Sequence, residues 1–177
     1  MTKSDAIGKL KALDRIATCV LTKGDLEKLF PDEAEKTLEK SLQRLVAGGI
    51  LERVSKGVYV NRMTSSKGRS LVEDIAVVLR RGYFSYVSME SILSEYGLIS
   101  QIPVRRLTVM TTGAKGVYAT PYGTIEFTHT KRRPAEILRR TLMMENRPLR
   151  IASRQAAMQD LRRAGRNTSM LATESVE

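Results

Sequence analysis

The residues with the clearest binding chemistry occupy positions 33–47, where long hydrogen-bond donors recur at helical spacing. At 100° per residue, the apolar side chains of this segment fall on one narrow stripe and the donors fall opposite. Ammonium, guanidinium and amide groups on an exposed helix can bond to base edges in the major groove of DNA, and threonine can contact a thymine methyl. The stripe consists of Ala34, Leu38, Leu42 and Leu45; the opposite face consists of Lys36, Lys40, Gln43 and Ala47, flanked by Thr37 and Arg44.

The same face is compatible with a plain solvated helix surface, because lysine and glutamine are common there. This segment also contains Glu33, Glu35 and Glu39, whose negative charges would weaken binding to DNA phosphates. The surrounding sequence favours DNA contact, since a capped helix precedes the segment, Gly48-Gly49 terminates it and a basic hairpin follows it.

The hairpin is predicted from two β-rich runs, Ile50–Val54 and Val58–Asn61, which flank the short turn Ser55-Lys56-Gly57. Three basic side chains lie on or beside it, and such charges typically contact the phosphate backbone, where they fix register without reading sequence. An ordinary charged turn is the alternative. The three candidates are Arg53, Lys56 and Arg62.

Caps and breaks along residues 1–62 predict the elements that position these side chains. Thr22 followed by Asp25 is typical of a helix N-terminus, Pro31 ends that helix, and Gly48-Gly49 ends the next one. An apolar stretch, Ala17–Leu21, precedes Thr22. The predicted helices are Ser4 to Asp14, Lys23 to Leu29, and one capped by Asp32 that runs to Ala47. Three helices followed by a hairpin indicate a winged helix-turn-helix domain at residues 1–62.

A second, mixed α+β domain is predicted at residues 71–166, after a polar linker at 63–70 and before a flexible tail at 167–177. The whole chain is therefore expected to be α+β. The predicted helices are Ser70–Arg81, one capped by Ser88 that ends at Tyr96 before Gly97, Pro134–Met144 and Arg154–Ala164; the predicted strands are Arg106–Thr112, Gly116–Thr120 and Thr124–Thr130.

The charge balance favours a polyanionic partner, because 30 Lys and Arg face 19 Asp and Glu for a net charge of +11. Residues 131–177 hold 11 basic and 5 acidic residues. This segment can form a second surface for DNA flanks or RNA, with solvated helix faces as the alternative. The candidates are Lys131, Arg132, Arg133, Arg139 and Arg140.

No residue pattern predicts catalysis, a metal site or a cofactor. His129 is the only histidine and Cys19 the only cysteine, while Glu73 and Asp74 are adjacent and do not face each other on a helix. The glycines of 113–116 fit a turn, and no phosphate-binding loop occurs. The charged N-terminus and the absence of a long apolar run predict a soluble cytoplasmic protein that does not bind membranes. The sequence contains no heptad repeat from which an oligomeric state could be predicted.

Several segments resemble the AbiEi family, the antitoxins and transcriptional repressors of type IV toxin–antitoxin systems. The similarity covers roughly residues 5 to 165 and is carried in both predicted domains. In the first domain it rests on Leu21–Leu26, Leu42–Val54 and Lys56–Val60; in the second it rests on Leu93–Gln101, Thr108–Thr112 and Thr120–Phe127.

The resemblance implies a winged helix that binds promoter repeats in double-stranded DNA, negative autoregulation, and a nucleotidyltransferase-like toxin from the same operon. It implies recognition-helix contacts by Thr37, Lys40 and Arg44 and a wing contact by Lys56. Residues 153–161 keep the ends of a family helix but lack its Pro-Glu pair, and longer members continue into a larger C-terminal domain that carries antitoxin activity. Repression therefore transfers better than toxin neutralisation.

The sequence thus predicts a non-enzymatic, sequence-specific repressor of a toxin–antitoxin-type operon. Two alternatives stay open: an antitoxin that acts mainly by neutralising a cognate toxin, and an RNA-binding module that uses the basic C-terminal segment.

Overall fold

The computed structural model describes residues 1–14, 18–64, 71–99, 105–166 and 168. These residues form a mixed α+β fold, as predicted, with two sheets, and the chain divides into two compact units, Met1–Leu71 and Val72–Glu177. The predicted helix start at Ser70, part of the apolar stretch before Thr22, most of the predicted linker and nearly all of the predicted tail lie outside the described residues.

The first unit packs three helices against a three-stranded antiparallel sheet of order β1-β3-β2. Leu38, Leu42 and Leu45 from the third helix are at most 4% exposed and lie in one core with Leu10 and Leu26. The elements are α1 (Lys3–Asp14), β1 (Val20–Thr22), α2 (Lys23–Leu29), α3 (Glu35–Ala47), β2 (Leu51–Ser55) and β3 (Val58–Asn61).

Local caps set the bounds of α2 and the end of α3. The Thr22 side chain accepts from the Asp25 amide at 3.0 Å, and the Asp25 carboxylate accepts from the Thr22 amide at 2.8 Å. This reciprocal pair is a capping box at the helix start that Thr22 and Asp25 predicted. After α3 the chain turns at Gly48 and Gly49, and Gly49 has a φ of 70°, which a glycine adopts without strain.

The predicted cap of α3 at Asp32 is wrong. The helix begins at Glu35 after Ala34, which has extended backbone angles and makes no side-chain cap bond. The Glu33 amide donates to the Phe30 carbonyl at 3.1 Å, so the chain makes a turn with Pro31 in its second position. This turn holds Asp32 outside the helix, and Ala34 is exposed rather than part of the apolar stripe.

The second unit is built on a six-stranded mixed sheet of order β6-β7-β5-β4-β9-β8. The parallel pairs are β5 with β7 and β4 with β9, and the other neighbours are antiparallel. The elements are α4 (Leu71–Leu79), β4 (Ser85–Val87), α5 (Glu90–Glu95), β5 (Arg106–Thr111), β6 (Gly116–Thr120), β7 (Gly123–His129), α6 (Pro134–Arg140), β8 (Thr141–Leu142), β9 (Arg150–Ala152) and α7 (Arg154–Arg163).

Two predicted helix bounds in this unit are wrong. The helix from Pro134 ends at Arg140 rather than Met144, because Thr141 turns into a strand and its hydroxyl donates to the Ile137 carbonyl at 2.7 Å. Ser88 does not cap α5; the N-cap is Met89, with a φ of 56°. The Ser88 hydroxyl instead donates to Asp160 at 2.8 Å.

Asp160 on α7 is the most deeply buried acidic residue of the described chain, with no exposed surface. One of its oxygens lies 2.7 Å from Arg132 Nη2, and the other accepts from the hydroxyls of Tyr86 and Ser88 at 3.0 and 2.8 Å. Arg132 Nη1 also donates to the Tyr86 hydroxyl at 3.0 Å. Burial and the adjacent Asp160 carboxylate raise the pKa of Tyr86, which keeps its hydroxyl protonated as a donor. This network joins α7, β4 and the segment before α6.

Replacing Asp160 with Asn should destabilise the second unit by about 3 kcal/mol, because Arg132 would lose its buried counter-charge and keep only the more exposed carboxylate of Glu136, 3.1 Å from its Nε. Hydrogen exchange followed by mass spectrometry would show faster exchange in β4, β5 and α7. Glu145→Gln, which removes an exposed carboxylate, is the matched control. Equal protection in the two variants would contradict a structural role for this ion pair.

Candidate nucleic-acid interface

The polar face of α3 is exposed along its length. Leu38, Ser41, Leu42 and Leu45 are its buried residues, so the donors opposite them point away from the core. Ser41 takes the position on the buried side that the sequence interpretation gave to Ala34. The exposed residues of this face are Lys36, Thr37, Lys40, Gln43, Arg44 and Ala47; they are called the α3 face below.

Within the α3 face, Arg44 lies back along the helix. Its Nη2 donates to the Ser41 hydroxyl at 3.0 Å, and its Nε lies 3.4 Å from the Lys40 carbonyl. Lys36, Lys40 and Gln43 lie at the centre of the face, opposite the core, whereas Arg44 lies on its flank. The central positions are therefore the ones best placed to meet a surface that approaches α3.

One lysine ties α3 to α2. Lys23, the first residue of α2, places its ammonium 2.8 Å from both Glu35 and Glu39, which lie one helical turn apart on α3. Glu27 lies 3.8 Å away on the same α2 face. Lys23 thus pairs with two of the three glutamates that argued against binding to phosphate, and it offsets one of their two negative charges. Sequence analysis missed this contact, because residues 12 and 16 positions apart meet only in the folded unit.

The backbone of Lys23 also holds the hairpin. Its amide donates to the carbonyl of Gly57 at 2.8 Å. Gly57 has a φ of 70°, and a Cβ there would lie 3.9 Å from the Lys23 Cβ, so the conformation rather than space favours glycine. Lys23 therefore contacts the tip of the hairpin with its backbone and α3 with its side chain.

The three hairpin candidates are exposed, as required for contact with a partner. Lys56 lies at the tip beside Gly57, and Arg53 lies on β2 with its Nε 3.4 Å from the Ser55 carbonyl. Arg62 follows β3. Asn61, directly before Arg62, is fully buried; its amide nitrogen donates to the Leu10 carbonyl at 3.1 Å and so ties α1 to β3. The sequence pattern carried no signal for this buried amide.

Two of the five residues predicted for a second basic surface are not exposed. Arg132 is 7% exposed and lies against Asp160, so it is not a surface residue. Arg140 is half-buried and donates to the Gln159 side chain at 2.8 Å. Lys131, Arg133 and Arg139 are exposed. The cause is the Asp160 carboxylate, which draws two of the five cations inward.

The residues considered for catalysis have structural contacts. His129 Nδ1 lies 2.8 Å from the Gly113 carbonyl, Cys19 is buried, and Glu73 pairs with Arg147. Within the described ranges, no three His, Cys, Asp or Glu side chains are grouped as a metal site would require. None of the helices in the described part of the chain has the length and apolar character needed to cross a bilayer.

Lys23→Met should return the pKa of Glu35 towards the ordinary value of a glutamate. Hydrogen bonding to Lys23, assisted by its charge, holds that pKa low. The contact therefore stabilises the fold above the unfolded pKa of glutamate and is lost as pH falls through the lowered folded value. An NMR titration of the Glu35 carboxyl carbon measures the shift, with Lys36→Met as the control; an unchanged Glu35 titration in Lys23→Met would contradict the contact.

Comparison with known proteins identifies a similar fold. No protein-family profile matches the chain, and no curated protein matches it in sequence. The chain is similar to a crystal structure of the RV2827C protein from Mycobacterium tuberculosis, with 18% sequence identity and a TM-score of 0.62. That similarity covers 97% of this chain and 65% of the mycobacterial chain, so this chain spans just under two thirds of that protein. At this identity the two proteins share a fold.

Proposed function

We propose that the first unit is a winged helix-turn-helix that binds double-stranded DNA, and that the protein is a transcriptional repressor. The observation that carries the proposal is the link through Lys23, which contacts α3 with its side chain and the basic hairpin tip with its backbone amide. A recognition helix and a wing must keep a constant separation, because the bases and the phosphates that they contact have fixed positions on the duplex.

The chemistry of the α3 face suits the major groove. Lys36, Lys40 and Gln43 offer donors for guanine and adenine edges, and the small Ala47 allows the groove wall to approach closely. Because Lys23 offsets one of the two negative charges of Glu35 and Glu39, the acidic flank of α3 repels phosphate less than its composition indicates. The helix would therefore read sequence while the hairpin residues Arg53, Lys56 and Arg62 contact the backbone.

The regulatory context follows from the sequence resemblance to AbiEi proteins. We propose a cytoplasmic, non-catalytic repressor that binds repeats in its own promoter and regulates a toxin–antitoxin-type operon. Repression depends on the α3 face and the hairpin, whose candidate residues are all exposed. The exposure of these donors on a helix and a hairpin supports repression as the function proposed first.

Lys40→Ala/Gln43→Ala should abolish discrimination between the protein's own upstream DNA and random DNA. Each lost base contact is worth about 1–3 kcal/mol of discrimination. The measurement is fluorescence anisotropy with labelled duplexes across a salt series, on the full chain.

The matched control for this variant is Lys11→Ala/Gln155→Ala, which removes one exposed lysine from α1 and one exposed glutamine from α7. This control should lower affinity for both duplexes alike and keep their ratio. If wild type binds the two duplexes equally, with a steep salt dependence, the protein is not a sequence-specific reader and the proposal fails.

Lys56→Ala tests the hairpin separately. Loss of one phosphate contact should weaken binding to every duplex by a similar factor and reduce the slope of log affinity against log salt by about 1. Arg62→Ala gives an independent comparison from the other end of the hairpin. A change in sequence preference with an unchanged salt slope would show that Lys56 contacts bases rather than phosphate.

A further inference from the structure

A second concentration of positive charge lies in a concave part of the second unit. Two adjoining depressions of about 360 and 320 Å³ share Arg132 and Arg163. Together they are called the cationic cleft. Its charged lining consists of five cations and two carboxylates: Lys131, Arg132, Arg140, Arg162 and Arg163 against Glu136 and Asp160.

The carboxylates of the cleft are already engaged by the protein. Asp160 binds Arg132, Tyr86 and Ser88, and Glu136 lies 3.1 Å from Arg132 Nε. Both carboxylates contact Arg132, and Asp160 also lies 3.7 Å from Arg140 Nη2, so five cations against two carboxylates leave the cleft with an excess of positive charge. Crowded like charges without a counter-ion raise the free energy of the folded state, so an anion in the cleft would stabilise it.

The cleft has an ordered floor and an accessible rim. The Arg132 guanidinium contacts four side chains of the fold, the carboxylates of Asp160 and Glu136 and the hydroxyls of Tyr86 and Thr130, so it is held in place before any ligand arrives. Arg162, Arg163 and Lys131 are exposed at the edges and have no ion-pair partner in the described part of the chain. Because Arg132 is already paired with two carboxylates, the contacts to a ligand would come from the two exposed guanidinium groups and the Lys131 ammonium beside it. Such a group of cations suits phosphate oxygens, which arginine binds with two parallel hydrogen bonds.

From this geometry we infer that the cationic cleft binds a small ligand with two or more linked phosphate groups, such as a nucleoside di- or triphosphate. Two joined depressions with shared arginines accommodate adjacent phosphates, and each volume lies at the low end of ordinary ligand pockets. The recessed position of Arg132, which is 7% exposed, favours a small ligand over the phosphates of a duplex, which pass along the outside of a protein surface. This site is separate from the α3 face and does not depend on the proposed function.

The test is isothermal titration calorimetry of the full chain with inorganic pyrophosphate and with a nucleoside triphosphate, at constant ionic strength. We expect saturable one-to-one binding, and we expect Arg162→Gln/Arg163→Gln to weaken it by about tenfold or more. Arg133→Gln/Arg139→Gln removes the same charge from two exposed arginines that line neither depression, and it should change the affinity less than twofold, or about 0.4 kcal/mol. Circular dichroism confirms that each variant is folded.

Two results would overturn the inference. The first is a failure of the predicted site: either no saturable binding is seen, or the two double variants lose affinity equally. An equal loss would show that binding depends on net charge alone. The second is displacement of pyrophosphate by duplex DNA that the Arg162→Gln/Arg163→Gln variant no longer binds, which would identify the ligand as a nucleic-acid backbone. Pyrophosphate binding should persist in Lys40→Ala/Gln43→Ala, so failure of the proposed DNA contact and failure of this site are distinguishable.

Discussion

Acidic residues are fewer than basic ones in this protein, 19 against 30. The positions of the carboxylates therefore determine which cations form structural ion pairs. In the first unit, Glu35 and Glu39 both bind Lys23 at 2.8 Å. In the second unit, Asp160 binds Arg132 at 2.7 Å with no exposed surface of its own. In each case a carboxylate fixes one cation at a point where several elements meet. The cations without such a partner are left at the surface.

This division gives each unit a structural cation and a set of available ones. Lys23 joins α2, α3 and the hairpin. On the exposed face of α3, by contrast, Lys36 and Lys40 have no carboxylate within ion-pair distance among the described residues. Arg132 joins α7, β4 and the loop before α6, while Arg162 and Arg163 stand beside it at the rim of the cleft. Long-range attraction to an anion comes from the available set, and the geometry in which that set is displayed comes from the structural one.

The extent to which the sequence predicts this arrangement follows from the range of the interactions. The capping box of Thr22 and Asp25, the end of α3 at Gly48 and the strand pair of the hairpin depend on neighbours within a few residues, and they were predicted correctly. Asp32 was misassigned because Pro31 favours a turn that competes with the cap. The strands β4 and β9 have three residues each, too few for an alternating pattern to be visible, and they pair with strands far along the chain.

The charged residues show even more clearly that contacts between distant parts of the sequence are not predictable from local patterns. Arg132 and Arg133 are adjacent and chemically identical, yet one is buried and the other exposed. What separates them is Asp160, 28 positions beyond Arg132 along the chain, and the hydroxyl of Tyr86, 46 positions before it. A basic run in a sequence therefore indicates that a polyanion is attracted, but not which of its members touch it. That distinction depends on which cation the fold places against a buried carboxylate, since burial of an arginine without one would cost several kcal/mol. Arg132 belongs to a basic run that looks exposed in the sequence, yet it is the buried arginine that forms the floor of the cationic cleft.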